Sequence, residues 1–213
     1  MGSAHKLRSS WNMVRSTQYL VLGTLLLPGI AIPAGAADPT ATFLGRKPDE
    51  WLARLDSDQP PVRAEAAWAL AQVSHDDLYY VGRLFRHADH TVAYWSVHGL
   101  QRLVQSKKAS EEVRESAREV LRAALTSEVP CIRIAAAEAL GITGESKQAI
   151  PVLIKAMSDP QDAVRIQAIA ALEKLGEAAR PGEATLRAAT TDSSQYVKRI
   201  GARALIKLDA TKK

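Results

Sequence analysis

One nine-residue phrase recurs five times, and a chain written this way must fold as a stack of similar units. The phrase runs VRAEAAWAL at Val62–Leu70, VAYWSVHGL at Val92–Leu100, IRIAAAEAL at Ile132–Leu140, VRIQAIAAL at Val164–Leu172 and VKRIGARAL at Val197–Leu205. Its starts are 30, 40, 32 and 33 residues apart, intervals in the range of helix-pair repeats. Counting the first residue as position zero, that position is always Val or Ile. Position four is always small (Ala66, Ser96, Ala136, Ala168, Gly201), as is position seven (Ala69, Gly99, Ala139, Ala171, Ala204). Position eight is always Leu (Leu70, Leu100, Leu140, Leu172, Leu205). Positions zero, four, seven and eight share one face of an α-helix. Two small residues there let a neighbouring helix approach closely, while Leu and Val fill the seam.

Each phrase follows a second helical stretch and a turn rich in Asp, Ser and Pro, such as Asp56–Pro60 and Ser158-Asp159-Pro160. Such residues stop one helix and start the next. The expected fold is therefore all-α, a solenoid of about five helix pairs over residues 48–208. The predicted pairs are Pro48–Leu55 with Pro61–Val73, Asp77–His87 with Thr91–Val104, Ser110–Leu125 with Pro130–Leu140, Lys147–Met157 with Asp162–Leu175, and Ala184–Ala189 with Gln195–Leu208. Pro181-Gly182 weakens the ninth helix, and the 40-residue interval marks an insertion near Gln105–Ser110, a hinge candidate. Composition agrees: 36 alanines and only 5% aromatics favour close-packed helices over a β-sandwich.

The phrase resembles the HEAT repeat, particularly its short bacterial form. The features carrying the resemblance are the apolar-plus-basic start (Arg63, Arg133, Arg165, Lys198, with Ala93 departing), the small pair and the final Leu. The resemblance implies a right-handed α-solenoid whose second helices line the inner surface. It also implies that a turn Asp bonds the basic residue along the stack; Asp159 with Arg165 and Asp192 with Lys198 keep that spacing. Residues Ile132–Leu208 further resemble the helical-repeat tail of some secreted bacterial sulfatases. The sulfatase signature Cys-x-Pro-x-Arg is absent, since Cys131 is followed by Ile132-Arg133-Ile134. Short repeats of this kind are also similar to those of bilin lyases.

The N-terminal segment has a different character. Lys6, Arg8 and Arg15 precede an apolar run from Tyr19 to Ile32, which ends in Pro33 and Ala34-Gly35-Ala36-Ala37. A basic start, an apolar core and an Ala-x-Ala end are the marks of a secretory signal peptide. The run is about 14 residues, short of the roughly 20 that span a bilayer. Residues 1–36 are thus expected to be cleaved, leaving a linker at 37–47, the solenoid, and a frayed tail at 209–213. The protein is expected in the periplasm or outside the cell, with no stable membrane span; retention of the segment as an anchor is the alternative. The segment holds three of the 28 basic residues and none of the 23 acids. The formal charge of +5 falls to +2 without it, which gives no support for a nucleic-acid partner.

The candidate functional residues are aromatic. Nine aromatics remain outside the leader, and eight of them lie between Phe43 and Trp95. Positions three and six of the phrase point away from the seam. They carry Glu65 and Trp68 in the first unit, and Trp95 and His98 in the second. Trp68, Trp95, His98 and Glu65 are the candidate partner-binding residues, because Trp is a favoured interface anchor. Alternatively, the two indoles fold over and seal the first repeat. His87-x-x-His90 around Asp89 could offer metal ligands, but no third ligand is placed by spacing; these read as surface turn histidines. Cys131 begins a helix, where a thiol can be activated, yet its seam position suits a buried thiol. No nucleophile elbow or phosphate-binding loop is present. The expectation is a non-catalytic scaffold for an unidentified protein partner, with no cofactor or metal, as a monomer or a weakly self-associating chain. The alternatives are an accessory module beside a sulfatase or another carbohydrate enzyme, and a bilin-lyase-like protein.

Overall fold

The computed structural model describes residues 42–73 and 78–210. The leader and its cleavage point, residues 37–41 of the linker, His75 and the tail beyond Ala210 lie outside these. Five consecutive helix pairs follow one another. They are α1 (Pro48–Arg54) with α2 (Pro60–Val73), α3 (Tyr79–Phe85) with α4 (His90–Gln105), and α5 (Glu111–Ala124) with α6 (Pro130–Ile142). Then come α7 (Ser146–Ala156) with α8 (Asp162–Leu175), and α9 (Glu183–Ala189) with α10 (Gln195–Ala210). A 3-10 turn at Gly176–Gly182 replaces the start of the ninth helix, where Pro181 withholds an amide from α-helical bonding. No strand occurs among the described residues; Phe43 and Arg46 form one isolated antiparallel bridge.

Capping chemistry sets several of these boundaries. Asp89 accepts the Thr91 amide at the start of α4, and Ser110 accepts the Val113 amide at the start of α5. Pro130 opens α6, where no intrahelical amide is needed. The Ser106–Ser110 connection is held on both sides. Ser106 Oγ accepts the Lys108 and Ala109 amides, and Arg114 Nη1 donates to the Ser106 and Ala109 carbonyls.

The second helices pack in sequence, α2 on α4, α4 on α6, α6 on α8 and α8 on α10. The seam residues are where the phrase puts them. Every position-four and position-seven residue is buried. Val62 at position zero of the first repeat and Leu205 at position eight of the last are only half-buried; the other residues at those two positions are buried. Close approach is real at these small positions. A Cβ on Gly99 would lie 2.6 Å from Val81 Cγ1, and one on Gly201 2.9 Å from Ala189 Cβ. Ser96 satisfies its buried hydroxyl by donating to the Ala93 carbonyl at 2.5 Å.

The expected Asp–Arg bonding is present, but with a different partner. Arg165 does not pair with the Asp159 carboxylate of its own turn. It forms a two-pronged pair with Asp192 of the following turn, Nε to Oδ2 at 2.9 Å and Nη2 to Oδ1 at 2.8 Å. Its own turn is held through the Asp159 and Pro160 carbonyls. Arg63 repeats the arrangement, donating to Asp89 of the next turn and to the Ser57 carbonyl of its own. The long guanidinium reaches one repeat forward while its third donor ties the near turn, so each pair fastens a junction between repeats.

Two apolar cores result. A smaller one gathers around Trp51, with Leu55, Leu70, Tyr80, Leu84 and Val92; the larger runs from Leu78 to Leu208. Helix α3 feeds both, Tyr80 and Leu84 to the first and Leu78 and Val81 flanking into the second.

Candidate protein-docking surface

Positions three and six do leave the seam. Glu65 and Arg203 are exposed, and Trp68, Trp95, His98, Glu138 and Gln167 are half-buried; Ala135 departs by being buried. The four candidate residues fall into two groups. In the first, Trp68 meets Phe43 edge-on, with ring centroids 5.1 Å apart, and Glu65 pairs with Arg54 at 2.6 Å. In the second, Trp95 and His98 lie 5.4 Å apart and share Tyr94 as a common neighbour, at 5.8 and 4.9 Å. One α-helical turn separates positions 94/95 from 98, so the three rings cluster on the same side of α4.

The N-terminal edge is built by residues that the repeat pattern does not single out. Phe43 and Arg46 exchange backbone hydrogen bonds at 3.0 and 3.1 Å. The tight turn between them holds Leu44 and Gly45 at φ of 50° and 74°. Beneath it Trp51 is fully buried, and its Nε1 donates to the Phe43 carbonyl at 3.2 Å. Arg46 and Arg54 stand over the indole, 5.0 and 5.4 Å from its centroid. Trp51, which carries no repeat register, closes the first repeat, and Trp68 braces Phe43 from the second-helix side. The only sequence signal for this was the cluster of aromatics itself.

Electrostatics distinguish the second group. Burial pushes the His98 imidazolium below the ordinary histidine range; Glu138 opposes this and Lys174 reinforces it. Burial also raises the Tyr94 phenol, and Glu138 acts in the same direction. His98 is thus a neutral ring at pH 7, beside a Glu138 already neutralised by Lys174 at 2.6 Å. Trp95 thus lies beside two other rings, and the charges nearest them, Glu138 and Lys174, are paired with each other, which suits the burial of an apolar side chain there.

The other candidates are placed less suggestively. His87 Nδ1 accepts the Asp89 amide at 3.0 Å, which occupies one ring nitrogen, while His90 is exposed. No group of three or more His, Cys, Asp or Glu side chains among the described residues could hold a metal ion. Cys131 is half-buried, a free thiol packed against the larger core. The charges of α5 form a solvated network: Arg118 bridges Glu111 and Glu115, and Arg122 bridges Glu115 and Glu145. Among the described residues no helix is long and apolar enough to cross a membrane.

Stacked helix pairs with a repeated small-residue seam, joined by forward Arg–Asp pairs, define a helical-repeat scaffold of the α-solenoid class. A family model described as HEAT repeats matches residues 83–173 and 119–206. The chain belongs to the HEAT-repeat family. No curated protein matches it in sequence. Among solved structures, the complex of CpcE and CpcF of phycocyanin lyase from Nostoc sp. PCC7120 is similar at 20% identity and a TM-score of 0.51, covering 84% of this chain and 71% of that one. An engineered protein is similar at 21% identity and a TM-score of 0.45, covering 76% and 79%. At such identities the likeness concerns the fold.

Proposed function

We propose that this protein is an exported, non-catalytic scaffold that binds a protein partner on its second-helix face, with Trp95 as the principal anchor and Trp68, His98 and Glu65 around it. The observation that carries the reading is the half-buried Tyr94–Trp95–His98 ring cluster, with Trp95 and His98 at positions three and six, which in the later repeats hold Ala135, Glu138, Gln167, Ala170, Ile200 and Arg203 and no aromatic ring. Large rigid rings of this kind supply contact area at low entropic cost. Trp68 contributes less to binding, because its edge is already engaged by Phe43.

A photo-crosslinking residue in place of Trp95, used in the native cell envelope, tests this. One discrete adduct is expected, lost when the same residue replaces exposed Lys155 on α7. Trp95→Ala should then reduce partner binding at least tenfold with little change in melting temperature. A large melting shift without loss of binding would return Trp95 to a purely structural role. Export is tested separately: N-terminal sequencing of the envelope form should begin at Ala37.

A second reading follows from the fold likeness to the CpcE and CpcF complex: a role in handling a bilin chromophore. A bound bilin is coloured, so visible absorbance of the purified protein, or its appearance on adding a free bilin, would favour this reading. Unaided turnover of a bilin or a sulfate ester would overturn the non-catalytic assignment.

A further inference from the structure

The second-helix face changes character along the stack. Position six of the phrase and position ten, one turn further on, share that face. From α4 onward they hold His98 and Arg102, Glu138 and Ile142, Ala170 and Lys174, and Arg203 and Lys207. Arg102, Lys174, Arg203 and Lys207 are exposed, as is Arg199, one turn before Arg203. The carboxylates are set deeper than the cations they hold. Glu138 keeps 15% of its side chain open and its partner Lys174 58%; Glu173 keeps 7%, and its partners Arg203 and Lys207 keep 58% and 63%. A partner approaching this face therefore meets the cations first. The pairing is also uneven. Lys174 and Glu138 cancel, but Arg203 and Lys207 share the single Glu173. Arg102 donates to the Gln72 carbonyl and Arg199 stands 5.7 Å from the Tyr196 ring centroid. Five cations thus stand with two carboxylates, and three of the five are Arg199, Arg203 and Lys207 of α10. The ring cluster runs into this stripe, since Tyr94 and His98 both feel the charges of Glu138 and Lys174.

We propose that the partner segment is an extended acidic peptide, which sets an apolar side chain on the Tyr94–Trp95–His98 rings and its carboxylates on Arg199, Arg203 and Lys207. This rests on the reading of Trp95 as an anchor and adds the chemistry of the partner. Charge complementarity selects it: two cations share one deep carboxylate and a third has none, so added carboxylates meet unspent positive charge. The path fixes a spacing. Helices α4, α6, α8 and α10 pack in sequence, and three interaxial steps of about 8–10 Å each separate the rings from α10. An extended chain at about 3.3 Å per residue covers this in roughly seven to nine residues. Duplex DNA fits less well, because it needs phosphate contacts along its length, while this path is charged at α10 and aromatic at α4.

Fluorescence anisotropy of labelled synthetic peptides on the purified protein tests this. Each peptide carries one Leu and, about seven to nine residues away across a Gly-Ser spacer, three Glu residues; both chain directions are used, with counterparts in which Gln replaces Glu. At about 50 mM salt one Glu peptide should bind at least tenfold more tightly than its Gln counterpart, and the advantage should shrink toward about 300 mM. Arg199→Gln with Arg203→Gln should remove most of that advantage and leave the Gln peptide unchanged. Both side chains are exposed and Lys207 stays on Glu173, so circular dichroism and melting should hold. Arg83→Gln, exposed on α3, should change nothing. Trp95→Ala should weaken the Glu and Gln peptides alike. Equal binding of Glu and Gln peptides, both dependent on Trp95, overturns the acidic partner and leaves the anchor standing. Glu-peptide binding indifferent to Trp95→Ala overturns the anchor and this inference with it. Absence of Glu-peptide binding at about 1 mM, or its displacement by an equal concentration of short duplex DNA, overturns the acidic peptide, and crosslinking at Trp95 then decides the anchor by itself.

Discussion

Arg63 of the first repeat donates from Nε to Asp89 Oδ2 at 2.8 Å, joining residues 26 apart in sequence, while its Nη1 holds the Ser57 carbonyl at 2.8 Å. One side chain therefore fixes its own turn and the next. Asp89 is doubly committed, since it also caps α4 through the Thr91 amide. Burial disfavours its charge, but the Arg63 and Thr91 hydrogen bonds outweigh this and hold the carboxyl below its ordinary range.

The Arg63–Asp89 pair should be measurable as a coupling between the first two repeats. In a double-mutant cycle with Arg63→Ala and Asp89→Ala, the coupling is expected at about 1 kcal/mol, because the pair is partly open to solvent. Asp89→Ala alone should cost more than Arg63→Ala, since it also removes the cap of α4. Equal single-variant losses with no coupling would show that the pair contributes nothing to the junction.

Trp51 should control the stability of the N-terminal end. Trp51→Ala removes a fully buried indole and its bond to the Phe43 carbonyl; the expected loss is about 3–5 kcal/mol. In a repeat stack such damage stays local. Hydrogen exchange should rise across residues 42–73 and stay near parental values in α6 to α10.

Two glycine substitutions should behave differently despite similar crowding. A Cβ on Gly141 would meet Leu175 Cδ2 at 2.6 Å, the free end of a half-buried side chain. Gly141→Ala is expected to be nearly neutral, because a helix-propensity gain of about 1 kcal/mol offsets the shift of Leu175. A Cβ on Gly201 would lie 2.9 Å from Ala189 Cβ and 3.3 Å from the Ala189 backbone carbon. There the partner helix itself must move, so Gly201→Ala should lose about 1–2 kcal/mol in denaturant melts. The reverse order would show that α9 is free to shift and Leu175 is not.

Acid should weaken the fold in two stages. Burial lowers the imidazolium pKa of both His87 and His98. Around His87, Asp89, the Leu55 backbone and Asp56 oppose burial while Arg63 supports it; around His98, Glu138 opposes it and Lys174 supports it. The unfolded chain thus takes up protons near pH 6.5 that the folded chain does not. Stability from these two rings is complete above about pH 6.5 and declines as the pH falls toward their folded values. Asp89, Asp192 and Glu173 also sit below their ordinary range, so a second loss follows below about pH 4. Thermal melts from pH 8 to 3 should show both stages, and His98→Gln should shrink only the first.

The candidate site was legible in the sequence only in part. The helical register correctly sends Trp68, Trp95 and His98 away from the seam, because side-chain direction follows from position in the turn. It could not separate a bracing indole from an open one. That depends on Phe43, 25 residues before Trp68 and outside any repeat, and on a turn whose Leu44 and Gly45 adopt positive φ. Tyr94 joins Trp95 and His98 from position two of the phrase, which the register of seam and outward positions leaves unassigned, and Glu138 pairs with Lys174 beside them from two later helices.

The sequence by itself determined the helix pairs, their register and the burial of the Val, small, small, Leu seam, since these follow from a local period that each repeat states independently. The three-dimensional structure decided what depends on contacts between repeats. Arg165 takes the Asp192 carboxylate ahead of it and only the carbonyls of Asp159 and Pro160 behind. Trp51 rather than Trp68 forms the floor of the N-terminal seal, and Ile206 is left uncovered where Ala71 and Gly141 are buried. A periodic sequence specifies each unit almost completely, but its ends and junctions are where the period is broken, and there packing and charge choose among partners that spacing leaves equivalent.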